Sequence, residues 1–144
     1  MPRGTLVVMT FDSKIAIVVR EELAVWQKLN VTAFLAGGLA ACYKEIIGER
    51  YRDASGLTYG PLVRQPILIF SASGEELRRT LGRALERGVT PSIYTVDLFT
   101  TYNDVDNRAA VAVVPTENLD LAGLALHAER KVTDKIVKGL KLHS

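Results

Sequence analysis

At 144 residues the chain is long enough for one domain that buries roughly 70 % of the surface its unfolded form exposes. Apolar residues make up 48 % and charged residues 24 %, an ordinary globular balance, and a net charge of +2 is too small to imply a nucleic-acid or membrane partner. The single cysteine, Cys42, excludes an intrachain disulfide, fits a reducing compartment and is expected to pack in the core.

Thr5–Thr10 reads as an edge strand or a tail. Its apolar run, Leu6–Met9, is too short to span a bilayer and lacks a cleavage pattern, so no membrane association and a cytoplasmic location are expected. Ile15–Val19 is a pure aliphatic run, the pattern of a strand buried on both faces. Charged residues Arg20, Glu21 and Glu22 interrupt it, and from about Leu23 the period becomes helical, with Trp26, Leu29, Ala33 and Ala36 at steps of three or four. A buried strand turning into a helix opens a βαβ unit, and in open α/β sheets ligands sit beyond the carboxyl ends of such strands. Arg20 to Asn30 is therefore the first place to seek function. Gly37-Gly38 suggests close packing against the sheet or against a neighbouring chain, the sheet being the simpler reading.

The helix is expected to stop by Gly48, and Tyr51–Pro61 reads as a hairpin or an ordered loop. Ile67–Phe70 is a second buried strand. Ser73 and Glu76 form a capping box for a helix with Leu77, Leu81, Ala84 and Leu85 inward, ending at Gly88. Pro91–Val96 predicts a third strand ending in Asp97. The polar stretch Thr100–Arg108 lacks the glycine and terminal glutamate of a calcium loop, so no metal site is expected. Ala109–Val114 predicts a fourth strand, and Leu121–Leu126 a fifth, whose Gly123 suggests close approach of another backbone. Arg130–Lys138 closes the chain as a helix with Val132, Ile136 and Val137 inward. The fold expected is one α/β domain with a four- or five-stranded mixed sheet and helices on both faces.

No nucleophile elbow, phosphate-binding glycine loop, HExxH or paired Cys/His pattern is present, so no cofactor is expected. Of two histidines only His127 lies away from the terminus. Asn30 is a poor interior helix residue and calls for a partner, either a structural hydrogen bond or a ligand. Gln27 lies on the same helix face three residues earlier, Lys28 can meet an anion, and Asp97 can converge on the rim of Arg20 and Glu21. Such a mixed-charge rim suits water activation or a polar ligand.

The pattern KIAIVVREELAVWQKLNVTAFLAGGLA, then RQPILIF, then KIVKGLKLH, resembles the bacterial domain-of-unknown-function family two thousand from Phe11 onward, with Leu23, Trp26, Gln27, Leu29 and Asn30 as its most specific core. The resemblance implies a fold similar to peptidyl-tRNA hydrolase type II, a three-layer α/β/α sandwich that commonly forms dimers. Val18-Val19-Arg20 and Leu140-Lys141-Leu142 match that hydrolase's pattern, and Lys28 is the one lysine in the stretch that corresponds to its helix-start glycine-lysine run, without fixing the register. Its Asp-Ala-Gly motif is Asp97-Leu98-Phe99 here. Two functions follow as expectations. One is a hydrolase for a small polar or nucleotide-linked substrate, with Lys28 stabilising an anion and Asp97 activating water. The other is a non-enzymatic module holding a ligand or peptide on the same rim, through Arg20, Glu21, Trp26, Gln27 and Asn30. A homodimer is expected from the resemblance and the paired glycines; nucleic-acid binding has only the basic C-terminal segment behind it.

Overall fold

The computed structural model describes residues 11–144; the Thr5–Thr10 expectation lies outside them. Five strands form one mixed sheet: β1 (Ser13–Arg20), β4 (Ile67–Ala72), β5 (Ser92–Thr95), β6 (Leu121–Glu129) and β7 (Lys141–Leu142), in the order β5-β6-β1-β4-β7. The aliphatic run of β1 is central, parallel to β4 and antiparallel to β6, which explains its lack of polar alternation. Between β1 and β4 the chain passes through helix α1 (Val25–Cys42), a 3₁₀ turn, and a separate hairpin of β2 (Ile47–Arg52) and β3 (Thr58–Val63). The hairpin turn is held by the Asp53 carboxylate, which accepts from the Ser55 and Leu57 amides and the Tyr59 hydroxyl. The tyrosine bond, and then the Leu57 amide, hold the Asp53 carboxyl below its ordinary range.

The core has two halves. On one face, Ile15, Ile17 and Val19 pack under Val31, Leu35 and Leu39 of α1. On the other, Ala16 and Val18 pack with Leu77, Leu81 and Ala84 of α2 (Gly74–Glu86) and Ile136 of α4 (Arg130–Ile136). Helix α2 follows the capping-box pattern: Ser73 Oγ accepts from the Glu76 amide at 3.2 Å and Glu76 accepts from the Ser73 amide at 2.9 Å. Glycine at 123 is required, because a Cβ there would stand 2.7 Å from Val31 Cγ1, 2.9 Å from the Val18 carbonyl oxygen and 3.1 Å from Leu35 Cδ1. It is the point where α1 rests on the sheet.

Several expectations are corrected. Ala109–Val114 is not a strand: Asn103 caps a helix, α3 (Asp104–Ala112), by accepting from the Asp106 amide at 2.8 Å. An alanine-rich run satisfies helix and strand alike, and here the cap and two acids in the first turn decide. Leu121–Leu126 is a strand as expected, within β6, and the strand that sequence reading did not anticipate is Lys141–Leu142, pairing with Phe70 and Ser71. Helix α1 ends at Cys42, and Gly48 lies in β2 against Arg64. Cys42 is exposed, not core. Leu85 is exposed beyond the buried stripe of α2. In α1 the buried stripe is Val31, Leu35 and Leu39; Trp26, Leu29 and Ala33 face outward and Ala36 is only half-buried. Gly37 and Gly38 are exposed as well, with open space around Gly37 and only an ordinary contact to Ser92 beside Gly38, so neither is required for packing on the sheet.

Candidate functional site

The carboxyl end of β1, where a ligand was expected, is filled by the protein's own charges. Arg20 donates to Glu22 and, at 2.5 Å, to Asp120, and its guanidinium lies against Gly74 at the start of α2. These bonds, Glu22 first and then Asp120, raise its already high pKa. Arg20 thereby ties β1, the start of β6 and α2 together. Glu21 is exposed, and its amide donates to the Ala72 carbonyl. Gln27 turns back to cap α1, its Oε1 accepting from the Ala24 amide at 3.0 Å. Lys28 Nζ stands 3.2 Å from His143 Nε2, just past β7. Asp97 is exposed in the turn after β5. Since β7 and β5 are the two edges of the sheet, Lys28 and Asp97 do not converge. His127 lies at the far end of β1, its Nε2 2.7 Å from Ser13 Oγ and its ring packed on Tyr43.

Trp26 and Asn30 do come together, in a cleft of about 610 Å³ on the flank of α1. Trp26, Asn30 and Phe34 follow at intervals of four, which places them along one side of the helix. The opposite wall is Leu98 and Phe99, in the 3₁₀ turn Val96–Thr100, with Tyr102 and Asn103 leading into α3. Tyr94 of β5 forms the base. The aromatic rings support each other in a chain: Trp26 meets Phe99 edge to face at 5.9 Å, and Phe99 on Tyr94 at 5.2 Å and Tyr94 on Phe34 at 5.9 Å are tilted pairs. Burial raises the Tyr94 hydroxyl's pKa. A second hollow of about 500 Å³ continues from the first, sharing Phe34, Tyr94, Leu98, Asp104 and Asn107, and runs beside Gly38 and Ser92.

The cleft's polar groups are the carboxamides of Asn30, Asn103 and Asn107, hydroxyls of Tyr94, Thr101 and Tyr102, and the Asp104 carboxylate. Asn30 is exposed and makes no hydrogen bond among the described residues, which removes the structural bridge expected of it. Asn107 contacts Thr101 Oγ1, and Asp104 is satisfied by Arg108 at 2.7 Å. The arrangement offers flat apolar surface and neutral donor–acceptor groups, with no nucleophile beside a base. Among the described residues no three His, Cys, Asp or Glu side chains are grouped to hold a metal. Sequence reasoning missed Tyr94, Phe99, Tyr102 and Asn107. The one signal that pointed there was Asn103 three residues before Asp106, a helix-start pattern in a stretch weighed only as a cation loop.

A mixed α/β protein with its cleft between a crossover helix and an edge-strand turn is the class these features define. The family model described as a protein of unknown function, DUF2000, matches residues 13–144. The chain belongs to that family. A solved structure of a protein of unknown function from Agrobacterium tumefaciens is similar at TM-score 0.91 and 48 % identity, over 94 % of this chain and 100 % of that one. No curated protein matches. Among the described residues no helix is long and apolar enough to cross a membrane.

Proposed function

We propose that this chain is a ligand-binding module, and that the cleft between α1 and α3 holds a small polar ligand with a flat apolar face. The observation that carries this reading is the cleft itself: aromatic rings on both walls, with the unbonded Asn30 carboxamide at the opening. Pockets of several hundred Å³ with apolar walls and few polar groups are the usual form of small-ligand sites. Asn30 and Asn107 orient the ligand, and Trp26, Phe34 and Phe99 supply its apolar contact. The hydrolase reading has less behind it, because its acid and its cation sit at opposite edges of the sheet. Helices on both faces, together with the sequence resemblance, support reading the fold as the three-layer sandwich of peptidyl-tRNA hydrolase type II.

Trp26 is the chain's one tryptophan, so its fluorescence reports on the cleft directly. Titration with a panel of neutral planar amides, nucleosides and monosaccharides is expected to give a saturable change for at least one class. Asn30→Ala and Phe34→Ala should weaken that binding about tenfold or more while leaving the melting temperature within a degree or two, since both side chains are exposed. Saturable binding unaffected by either substitution would place the ligand elsewhere and refute the proposal.

A further inference from the structure

The amino-terminal end of β1, remote from the ligand cleft, brings a hydroxyl and an imidazole together. In the antiparallel register Ser13 faces Glu129 and Ile15 faces His127, so Ser13 and His127 are diagonal neighbours on one face of the sheet. Ser13 Oγ and His127 Nε2 stand 2.7 Å apart. Gln65, which leads into β4, donates from Nε2 to the Ser13 carbonyl at 3.1 Å and to Oγ at 3.4 Å. With Oγ accepting from Gln65, its own proton is left for His127. Tyr43, just past the end of α1, holds the imidazole edge to face at 4.8 Å. The β1–β6 ladder already runs from Ser13 to Val19, so this side-chain bond is not needed to join the strands. Both residues are half-buried and line a hollow of about 290 Å³. The cation of that hollow is Arg64, held 5.5 Å from the Phe11 ring centre and in no ion pair among the described residues. A second hollow of about 350 Å³ meets the first at Phe11, Ser13 and Gln65 and has Ile15, Pro66 and Leu68 as its apolar lining. The charged groups there are already engaged, Lys14 with Asp134 and Arg130 with the Phe11 carbonyl.

We infer that Ser13 and His127 are a nucleophile and its base, and that this end of the sheet hydrolyses carboxylic esters of short apolar acids. A serine hydroxyl within hydrogen-bond reach of an imidazole is the core of acyl transfer. Ser13 Oγ attacks the ester carbonyl carbon, and its proton passes to His127 Nε2. Gln65 Nε2, already beside the nucleophile, and Arg64 are the donors for the oxyanion that forms. The intermediate collapses, the bond to the alcohol breaks, and His127 gives the proton to the departing oxygen. Water then attacks the acyl-serine, its proton passes through His127 to Ser13 Oγ, and the acid leaves. Since His127 must reach the leaving oxygen, the alcohol occupies the hollow that His127 lines, and the acyl group takes the apolar one. The ligand cleft lies by the other end of β1, so the inference stands apart from the proposed function.

Hydrolysis of p-nitrophenyl butyrate by the full chain tests it. The expected result is steady turnover, with a butyryl group trapped on Ser13 by acid quench and located by peptide mass. Ser13→Ala and His127→Gln should each lower kcat/KM by about 100-fold or more. Glutamine leaves Ser13 a hydrogen-bond partner but no base, and the urea midpoint of each variant confirms that it is folded. Cys42→Ser removes the one thiol, which is exposed, and should leave turnover unchanged. An aryl fluorophosphonate gives a readout that does not depend on turnover: the Oγ–P bond forms, fluoride leaves, and His127 takes the serine proton. That label should map to Ser13 and form about 100-fold more slowly in His127→Gln. A wild type that does not turn over the ester, turnover that survives Ser13→Ala in a folded chain, or a butyryl or phosphonyl group on another residue would each overturn the inference.

Discussion

Replacing Gly123 by alanine tests the placement of α1 most directly. One added methyl would sit 2.7 Å from Val31 Cγ1 and 2.9 Å from the carbonyl oxygen of Val18. The valine can give a little by rotating, but the oxygen belongs to the central strand and is fixed by its ladder. The methyl must therefore push α1 away from the sheet. Overpacking that moves backbone costs about 1–3 kcal/mol, and here the upper half of that range, about 2–3 kcal/mol, is expected. For a domain of this size that corresponds to a melting temperature lower by about 6–10 °C. Gly82→Ala is the matched control. It adds the same methyl inside α2 where nothing lies within 4 Å, and should gain up to about 1 kcal/mol from helix propensity. Urea denaturation followed by far-UV circular dichroism measures both from the shift in midpoint at constant slope. If Gly123→Ala unfolds at the wild-type midpoint, α1 does not rest on β6 as described, and the cleft built on its flank loses its foundation.

Other outcomes follow from the same geometry. Ser73→Ala removes the α2 cap and should destabilise by about 1 kcal/mol in the same assay. The Ser73 amide, its first cause, holds the Glu76 carboxyl below its ordinary range. The folded state therefore binds that proton less readily than the unfolded one; the stabilisation is present above the unfolded pKa and is lost as pH falls through the folded value. Glu76→Gln and wild type should accordingly converge in stability as urea midpoints are followed from pH 7 into that acid range. Arg20→Ala, which unties three elements, should lose about 1–2 kcal/mol, limited by the exposure of Glu22 and Asp120. Lys28→Met and Asp97→Asn should leave any ligand-dependent change in Trp26 fluorescence untouched; loss of that change in either variant would return the hydrolase reading to consideration.

How much of this was legible in the chain depended on whether a signal was local. The capping box at Ser73 and the aliphatic run of β1 are fixed by neighbours in sequence, and each was readable; Tyr51–Pro61 was read as a hairpin or an ordered loop, and it is a hairpin. Glycine at 123 was read as close approach of another backbone; the Val18 carbonyl is one such neighbour, but the side chains of Val31 and Leu35 crowd it too, and they reach it only through tertiary packing. The inward face of α1 was misread for a related reason. Its outer ridge is as apolar as its inner one, so periodicity alone could not say which stripe faces the sheet, and the large residues Trp26 and Leu29 drew attention to the wrong one. Ala109–Val114 failed because alanine and valine together satisfy both periods, and the decision fell to the cap at Asn103.

The position of the cleft follows from the way charge is distributed around β1. In an open α/β sheet the crevice lies where neighbouring connections diverge beyond the carboxyl ends of strands. Beyond β1, whose neighbours are a parallel and an antiparallel strand, that place is occupied by Arg20 with Glu22 and Asp120. The guanidinium is held from two sides and packed on the start of α2, so no ligand charge is needed to satisfy it. Free polar capacity instead appears one layer out, at Asn30, on the helix that the same turn launches. There the next surface is the aromatic turn after β5, an edge strand that leaves its outer side to α3. A cleft between a well-anchored helix and α3, none of whose residues is buried, has one fixed wall and one lightly held wall. Any adjustment of the cleft to a ligand then falls on α3, and hydrogen exchange should show the amides of Asp104–Ala112 opening well before those of α1. Equal protection of the two helices would make the cleft rigid and restrict its ligands to those that fit its present shape.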